Sequence, residues 1–453
     1  MQYDLIIIGG GPGGYTAAFE AAANALKVCL FEEREAGGTC LNRGCIPTKT
    51  LVHSADLLRA VREGKDGLRT EGAVVIDREA LKAKKEEIVR IQREGLEKQL
   101  KAAKIEVIHA HASITGEHTV TAQGNEYTAD SILIASGSVP ARLPIPGADL
   151  SRVITSDDIL RDLPQYDSLV IIGGGVIGCE IAGIYESFGA KVTILEAMDT
   201  LLPTMDSEVG RSLALLMKKR GIETHVRAFV RQIEEIDAAC RITYEEKGAE
   251  KTVEAEAVLL AAGRKAVTDV FEIDPPLMEK GRLVIDDHFR TSCPHIYAIG
   301  DCAGKYPQLA HSAMAMAVNA VASICGKPFP RDLSCIPSGV YTSPEIASVG
   351  LDEKGAAAAG IAAVSGKANT LSNARSLIQG GERGFIKVVA EKQTGRILGA
   401  VMMCERATDL IQEFALAVHA KLTAEQMLAV IHGHPTFAEA AVPALEAVLK
   451  KLA

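Results

Sequence analysis

No stretch of this chain approaches the roughly 20 consecutive apolar residues that a membrane-spanning helix needs, so a helical membrane protein is excluded and no membrane is expected as a partner. Also missing are a basic start followed by an apolar core and cleavage site, and an arginine-rich presequence. Residues 1–14, MQYDLIIIGGGPGG, already read as a strand and a turn, so the expected location is the cytoplasm. Positive charge is not in excess either. A net charge of -9 is spread along the sequence rather than gathered in a tail. That favours a solvated acidic surface and argues against nucleic acid as the main partner. The ten cysteines lack the spacing of a disulfide scaffold or a zinc site, and no metal is expected. Cys29, Cys179, Cys325 and Cys404 sit in apolar runs and should be small buried hydrophobes. Only Cys40 and Cys45 lie close together, in a glycine-bounded segment.

What is present is an ordinary globular composition, 47% apolar and 24% charged over 453 residues. At about 150 residues per domain that length suggests three domains. Two segments resemble each other, one beginning at Asp4 (DLIIIGGGPGGYTAAFEAAANALKVCLFEE) and one at Ser168 (SLVIIGGGVIGCEIAGIYESFGAKVTILEA). Each has an apolar run of strand length, a glycine-rich turn, a helical pattern and a second apolar run ending in Glu, which is a βαβ unit. Between them, residues 77–104 read as an amphipathic scaffold helix, with Leu81, Ile88, Ile91, Leu96 and Leu100 near one face. Pro144, Pro146 and Gly147 mark a crossing into the second unit, which VLLAAGR (258–264) closes. HIYAIGDCAG (295–304) reads as a buried strand ending at Asp301. From about Cys335, alternating strand-like runs (GFIKVVAEK, RILGAVMM) precede helical patterns, as in a separate α+β domain. The expected fold is α/β, with two Rossmann-like dinucleotide-binding domains and a C-terminal α+β domain. Expected boundaries are 1–147 for the first part of one nucleotide domain, 148–268 for the other, 269–334 for a segment completing the first site, and 335–453 for the last domain.

Both units carry the dinucleotide fingerprint. Gly9, Gly11 and Gly14 follow a strand and open a helix, with Glu32 eighteen residues on; Gly173, Gly175, Gly178 and Glu196 repeat the arrangement. The first glycine allows the tight turn, the second lets backbone approach a pyrophosphate, and the third lets helix and strand pack closely. The pyrophosphate sits on the helix N-terminus and the acid binds a ribose hydroxyl. Two such sites in one chain point to two dinucleotides, most simply FAD and NAD(P). Glu196 would accept the 2′-hydroxyl of NAD and repel a 2′-phosphate, and residues 197–210 hold no Lys or Arg to bind one, so NAD is expected.

In GGTCLNRGCIPTK (37–49) the two cysteines are five apart, and a distorted first helical turn can bring such a pair within disulfide reach. A helix N-terminus would also lower a thiolate pKa. Taken alone, the pair reads equally well as two buried free thiols in a turn.

With these residues in view, nearly the whole chain resembles the pyridine nucleotide-disulfide oxidoreductase family, and within it most closely the dihydrolipoyl dehydrogenases. GGTCLNRGCIPTK is similar to the family's redox-disulfide segment, TSCPHIYAIGDCAG to its second flavin motif, VYTSPEIASVG to the start of its dimerisation domain, and HPTFAE (434–439) to its acid–base segment. The resemblance implies FAD, NAD and an obligate homodimer. Cys40 becomes the interchange thiol and Cys45 the thiol nearer the flavin, with Lys49 beside the flavin and paired with Glu180. Asp301 binds the flavin chain, and the helix after Leu309, opening at Ala310, points its positive end at the ring. Ser136 and Gly137 of the IASG turn, and Gly263 and Arg264, contact cofactor. His434, supported by Glu439, serves the partner subunit's disulfide. Without the resemblance, Glu180 reads as an exposed helix charge, Lys49 as a solvated side chain, and Thr436-x-x-Glu439 as a capping box. The implied activity is oxidation of protein-bound dihydrolipoamide, with NAD reduced through the Cys40–Cys45 disulfide. No lipoyl domain is expected within the chain, so the partner is a separate lipoyl-bearing protein of a 2-oxoacid dehydrogenase or glycine cleavage complex.

Three positions depart from the commoner pattern: Arg43 stands between the cysteines, Ser136 replaces Thr, and GRKAVTD after Ala262 lacks Pro-Asn, which puts Arg264's cofactor contact in doubt. The alternatives are a glutathione-type or mercuric reductase, disfavoured by Glu196 and by a tail without a cysteine pair, or a chiefly structural flavoprotein subunit of a multienzyme complex.

Overall fold

The computed structural model describes residues 2–64, 67 and 70–453. The strand Gln2–Ile8 lies between Val28–Phe31 and Asn125–Ile134 and is parallel to both. Leu5, Ile6 and Ile7 have no exposed surface, which is why this strand reads as an unbroken apolar run: both faces of a parallel sheet are covered. The sheet extends outward to Glu106–Ile108 on one side and to the antiparallel strands Thr119–Ala122 and Ser113–Gly116 on the other. Far along the chain, Ile296–Ala298 returns to pair in parallel with Asn125–Ile134. That strand stops at Ala298, before Asp301, which sits instead in the short 3-10 turn Gly300–Cys302. On one face the helix Pro12–Ala23 packs its small residues Ala17, Ala18 and Ala21 into the same core as Met316, Ala317 and Ala320 of the helix Ala310–Ile324.

The second sheet is wholly parallel, in the order Glu223–Val226, Lys191–Glu196, Ser168–Ile172, Ala257–Leu260, Val153–Thr155. Its alternate residues face two different cores. Leu169, Ile171, Val192 and Ile194 join the helix residues Ile181, Ile184 and Leu213. Val170, Ile172 and Leu195 join Ile233, Ile242 and Tyr244 of the antiparallel sheet formed by Ala228–Ile236, Ala239–Glu246 and Ala249–Ala255.

The third sheet is antiparallel, in the order Ser338–Val340, Glu345–Gly350, Ile397–Cys404, Phe385–Glu391, Ala363–Asn369. The two runs expected to alternate are buried almost end to end. Ile386, Val388, Met402 and Cys404 pack under the helices Ala407–His419 and Val442–Leu452, while Phe385, Val401 and Met403 join the core of the second sheet. The fold is thus the expected α/β arrangement of two nucleotide-type sheets and a C-terminal α+β unit.

Two further expectations need correcting. In the long helix Arg78–Ala102, capped by Asp77, Leu81, Leu96 and Leu100 are buried but Ile91 is 52% exposed. The buried stripe holds Lys85 instead, whose Nζ donates to Leu160 O at 2.6 Å and Arg161 O at 3.2 Å at the end of the helix Ser156–Asp162. A cation at a helix C-terminus satisfies carbonyls that have no helical partner. Cys325, at the end of its helix, is only partly buried, whereas Cys29, Cys179 and Cys404 are core residues. Among the described residues no helix is long and apolar enough to cross a membrane.

Candidate active site

The two glycine turns are built alike. Gly9 and Gly173 have φ of +106° and +112°, and a Cβ on either would collide with the carbonyl of Ala135 or Ala261, 2.3 and 2.5 Å away. A Cβ on Gly14 would lie 1.7 Å from Gly9 O, and one on Gly178 2.0 Å from Gly173 O. Gly14 and Gly178 are therefore needed for packing within the motif, and Gly9 and Gly173 for its close approach to the chain after the neighbouring strand. The middle pair differs: a Cβ on Gly175 would meet nothing within 4 Å, and one on Gly11 only Gly38 Cα at 3.9 Å. The space they leave lies at the open N-termini of the helices Val176–Ser187 and Pro12–Ala23, neither of which has a side-chain cap. Free N–H groups and a positive helix end suit a pyrophosphate there. Glu32 accepts from Gly10 N at 2.7 Å and Arg34 N at 2.8 Å; Glu196 accepts from Gly174 N at 2.6 Å and Met198 N at 2.7 Å. Each acid therefore ties its own glycine loop to the end of the neighbouring strand.

The redox segment is pressed against the first of these turns. Gly37 N donates to Gly10 O at 2.9 Å, and a Cβ on Gly38 would stand 2.6 Å from Gly11 Cα. Cys40 lies in the short helix Gly38–Arg43, the helix is interrupted at Gly44, and Cys45 opens the helix Cys45–Arg62. The pair thus spans a break between two helices rather than one distorted first turn. Both are free thiols, close enough for one to hydrogen-bond the other. That bond, then burial, raises Cys40 well above the ordinary thiol range. The same bond, with Lys49 one turn on, holds Cys45 down to about 7 against burial and the charge of Glu180. Lys49 Nζ contacts both carboxylate oxygens of Glu180 at 3.0 and 2.8 Å. Glu180 is 4% exposed and also accepts from Tyr341 N at 2.9 Å; the Tyr341 ring lies 4.6 Å under Lys49 Nζ. Neither residue is the solvated charge that its local sequence suggests. Arg43 is drawn onto Glu35 at 2.8 Å.

A single crevice of about 1980 Å³ gathers most of these groups. Its walls include Gly9, Gly11, Gly173 and Gly175, both acids, Cys40, Cys45, Lys49 and Glu180. Ser136, Gly137, Gly263, Arg264, Asp301 and Ala310 line it too. One ligand site is usually about 300–1,000 Å³, so the crevice has room for two dinucleotides, and the residues fit FAD and NAD. Asp301 accepts from the Ser138 hydroxyl, and Arg264 donates to that hydroxyl at 2.7 Å and to Ser138 O at 2.6 Å. Arg264 thus braces the strand pair Ser138–Pro140 and Arg264–Ala266. Ser136 donates to Val267 O at 2.6 Å across the same junction. Ala310 begins a 15-residue helix whose N-terminus faces the crevice with no side-chain cap. Sequence reasoning missed Ser138, just past the IASG turn, and Tyr341, inside the VYTSPEIASVG segment; their contacts are with residues far along the chain.

His434 and Glu439 are not part of this crevice. His434 is 75% exposed, its peptide bond to Pro435 is cis, and Nδ1 lies 2.9 Å from Glu439 Oε2. That bond lowers the Glu439 carboxyl below its ordinary value. Glu439 Oε1 also accepts from Thr436 N at 3.2 Å, and Glu439 N donates to Thr436 Oγ1 at 3.3 Å. The capping box and the histidine contact coexist, one on each carboxylate oxygen.

Two nucleotide-type sheets sharing a crevice with a cysteine pair define a dinucleotide-linked thiol–disulfide oxidoreductase. Comparison with known proteins agrees: residues 3–317 match the pyridine nucleotide-disulphide oxidoreductase family and residues 336–445 match its dimerisation domain. The chain belongs to this family, as a flavoprotein oxidoreductase using FAD and NAD. It is 35% identical to a dihydrolipoyl dehydrogenase of Geobacillus stearothermophilus, over 99% of this chain and 97% of that one. To the dihydrolipoyl dehydrogenase of Chlorobaculum parvum it is 37% identical over the same shares. The flavoprotein disulfide reductase RclA of Escherichia coli superposes with a TM-score of 0.87 at 27% identity, covering 98% of this chain and 100% of that structure.

Proposed function

We propose that this oxidoreductase is a dihydrolipoyl dehydrogenase, oxidising dihydrolipoamide carried on a lipoyl-bearing protein while NAD is reduced. The observation that carries the reading is the pair of thiols at one crevice with both glycine turns. Joined as a disulfide, Cys40 and Cys45 present an electrophile. A substrate thiolate attacks Cys40 Sγ, the new S–S bond forms, and the Cys40–Cys45 bond breaks. Cys45 departs as a thiolate, which the nearby Lys49 charge stabilises; a leaving thiol of low pKa leaves faster. The second substrate thiolate then attacks its own partner sulfur, closing the cyclic disulfide and releasing Cys40. Two electrons have moved from substrate to the protein's sulfurs; of the substrate's two protons, one ends on the released Cys40 and the other goes to His434, held by Glu439. FAD and NAD, when bound, supply the chemistry that carries those electrons onward to the nicotinamide. The Lys49–Glu180 pair fixes a positive charge beside Cys45, and Gly9, Gly11, Gly14, Gly173, Gly175, Gly178, Glu32, Glu196, Ser136, Gly137, Asp301, Ala310, Gly263 and Arg264 shape the cofactor sites.

Because His434 is exposed and outside the crevice of its own chain, we assign it to the thiols of the partner in a homodimer. The segments 1–147, 148–268, 269–334 and 335–453 are proposed as FAD-binding, NAD-binding, FAD-completing and interface units. Free, scattered cysteines suit a reducing compartment such as the cytoplasm. The likeness to RclA supports a second reading, a reductase acting on some other disulfide. Rates with dihydrolipoamide plus NAD, set against those with glutathione disulfide plus NADPH, decide between them. Faster turnover of the first pair, abolished in Cys40→Ser with flavin still bound, is the expected result; preference for the second pair overturns the assignment.

A further inference from the structure

Away from the crevice, three side chains of different chemistry converge on one point. Asp332 Oδ2 lies 3.0 Å from His419 Nδ1 and 3.9 Å from Cys335 Sγ, and the three ligand atoms all fall within 4.8 Å of one another. Asp332 and Cys335 belong to the connection after the helix Ala310–Ile324, and His419 ends the helix Ala407–His419. The connection is held in place. Buried Asn319 clamps Arg331 from both sides, its Oδ1 accepting Arg331 N at 3.0 Å and its Nδ2 donating to Arg331 O at 2.8 Å. Ser334 N donates to Asp332 Oδ1 at 2.9 Å, which leaves Oδ2 for the other two groups.

One carboxylate oxygen, one imidazole nitrogen and one thiol sulfur, which a bound metal would deprotonate, match the donor set of zinc. Bond lengths of about 2.0–2.3 Å in a tetrahedron put neighbouring ligand atoms roughly 3–4 Å apart. The observed separations need only small adjustments to meet that. A carboxylate and a thiolate balance a divalent charge, and the negative end of the thirteen-residue helix adds to the attraction. The exposure of Asp332 and His419 leaves a fourth position for water. No zinc spacing is visible in the sequence because His419 is 84 residues beyond Cys335; the site exists only in three dimensions.

We propose that Asp332, Cys335 and His419 form a binding site for a zinc-type divalent transition metal, pinning the connection to the helix Ala407–His419. This goes beyond the redox reading and does not depend on it. The test uses FAD-loaded, dithiol-free Cys40→Ser/Cys45→Ser protein, so that the crevice thiols cannot compete, and titrates Zn²⁺ against a chromophoric chelator. One Zn²⁺ per chain is expected, with affinity falling at least about tenfold in Cys335→Ser and in His419→Gln, since losing even an outer-shell partner of a metal ligand typically costs about 10–100-fold and losing a ligand should cost no less. Co²⁺ serves as a second probe: a thiolate-to-cobalt charge-transfer band should form in the parent and vanish in Cys335→Ser. Absence of stoichiometric binding, unchanged affinity in both variants, or a cobalt–thiolate band that survives Cys335→Ser would overturn the site.

Discussion

At the residue scale, the two cysteines are made unequal by position. Cys45 opens a helix with Lys49 one turn on, while Cys40 sits before the break and holds its proton in the shared hydrogen bond. In the reduced protein, Cys45 should therefore react with a neutral alkylating agent with a midpoint near pH 7, well before Cys40. Lys49→Met should move that midpoint up, since it removes a charge that favours the thiolate. Glu180→Gln should move it down, since it removes one that opposes it. Mass-resolved labelling across pH reads both, and shifts of the same sign would refute this electrostatic account. The cysteine pair itself was legible in the sequence because its five-residue spacing and glycines are local. The Lys49–Glu180 pair was legible only through resemblance, because 131 residues separate the partners. Tyr341, which completes that contact, and Ser138, which joins Asp301 to Arg264, carry no local signal.

At the element scale, the βαβ units were plain in the sequence because turn, helix and acid repeat at fixed offsets. The structure adds that the first glycine of each motif allows close approach to a neighbouring strand end and the third serves the motif's own packing, while the middle one leaves open space. Gly14→Ala and Gly178→Ala should then separate the cofactors. A methyl group 1.7 Å from Gly9 O forces the first helix off its strand, so Gly14→Ala should purify with little flavin. Gly178→Ala should keep its flavin, visible in the absorption spectrum, yet show a KM for NAD raised at least about tenfold, as a misplaced helix N-terminus costs over 1.4 kcal/mol of binding. Equal flavin content in both variants would contradict the division. The long scaffold helix was legible in type but not in its buried face: hydrophobic periodicity selected Ile91, whereas the buried position is Lys85, drawn in by carbonyls of a distant helix.

At the scale of the molecule, the third sheet is buried on both faces because one face closes over the second sheet's core. Sequence alternation could not show this, since it depends on how two units meet. An ion cluster marks the same junction. Lys387 is buried on the third sheet and pairs with Asp206, the cap of the helix Ser207–Lys219, and more loosely with Glu208 and Glu353. Removing one partner of a buried pair costs about 3–5 kcal/mol, because it strands the other charge. Lys387→Met should lower the thermal unfolding midpoint markedly while leaving the thiol chemistry unchanged; an unshifted midpoint would show that the junction does not limit stability.

The separation of His434 from the crevice of its own chain has a genetic consequence. Suppose each reaction centre takes its sulfurs from one polypeptide and its base from the other. Two dead proteins, Cys45→Ser and His434→Gln, should then revive one another when produced together. The mixed pair holds one centre with both defects and one with none. With random pairing, about a quarter of the wild-type rate should return, since half the molecules are mixed and each has one working centre. Separately made proteins combined without subunit exchange should stay inactive. Failure to recover any rate from confirmed mixed pairs would place the base and the sulfurs on the same polypeptide.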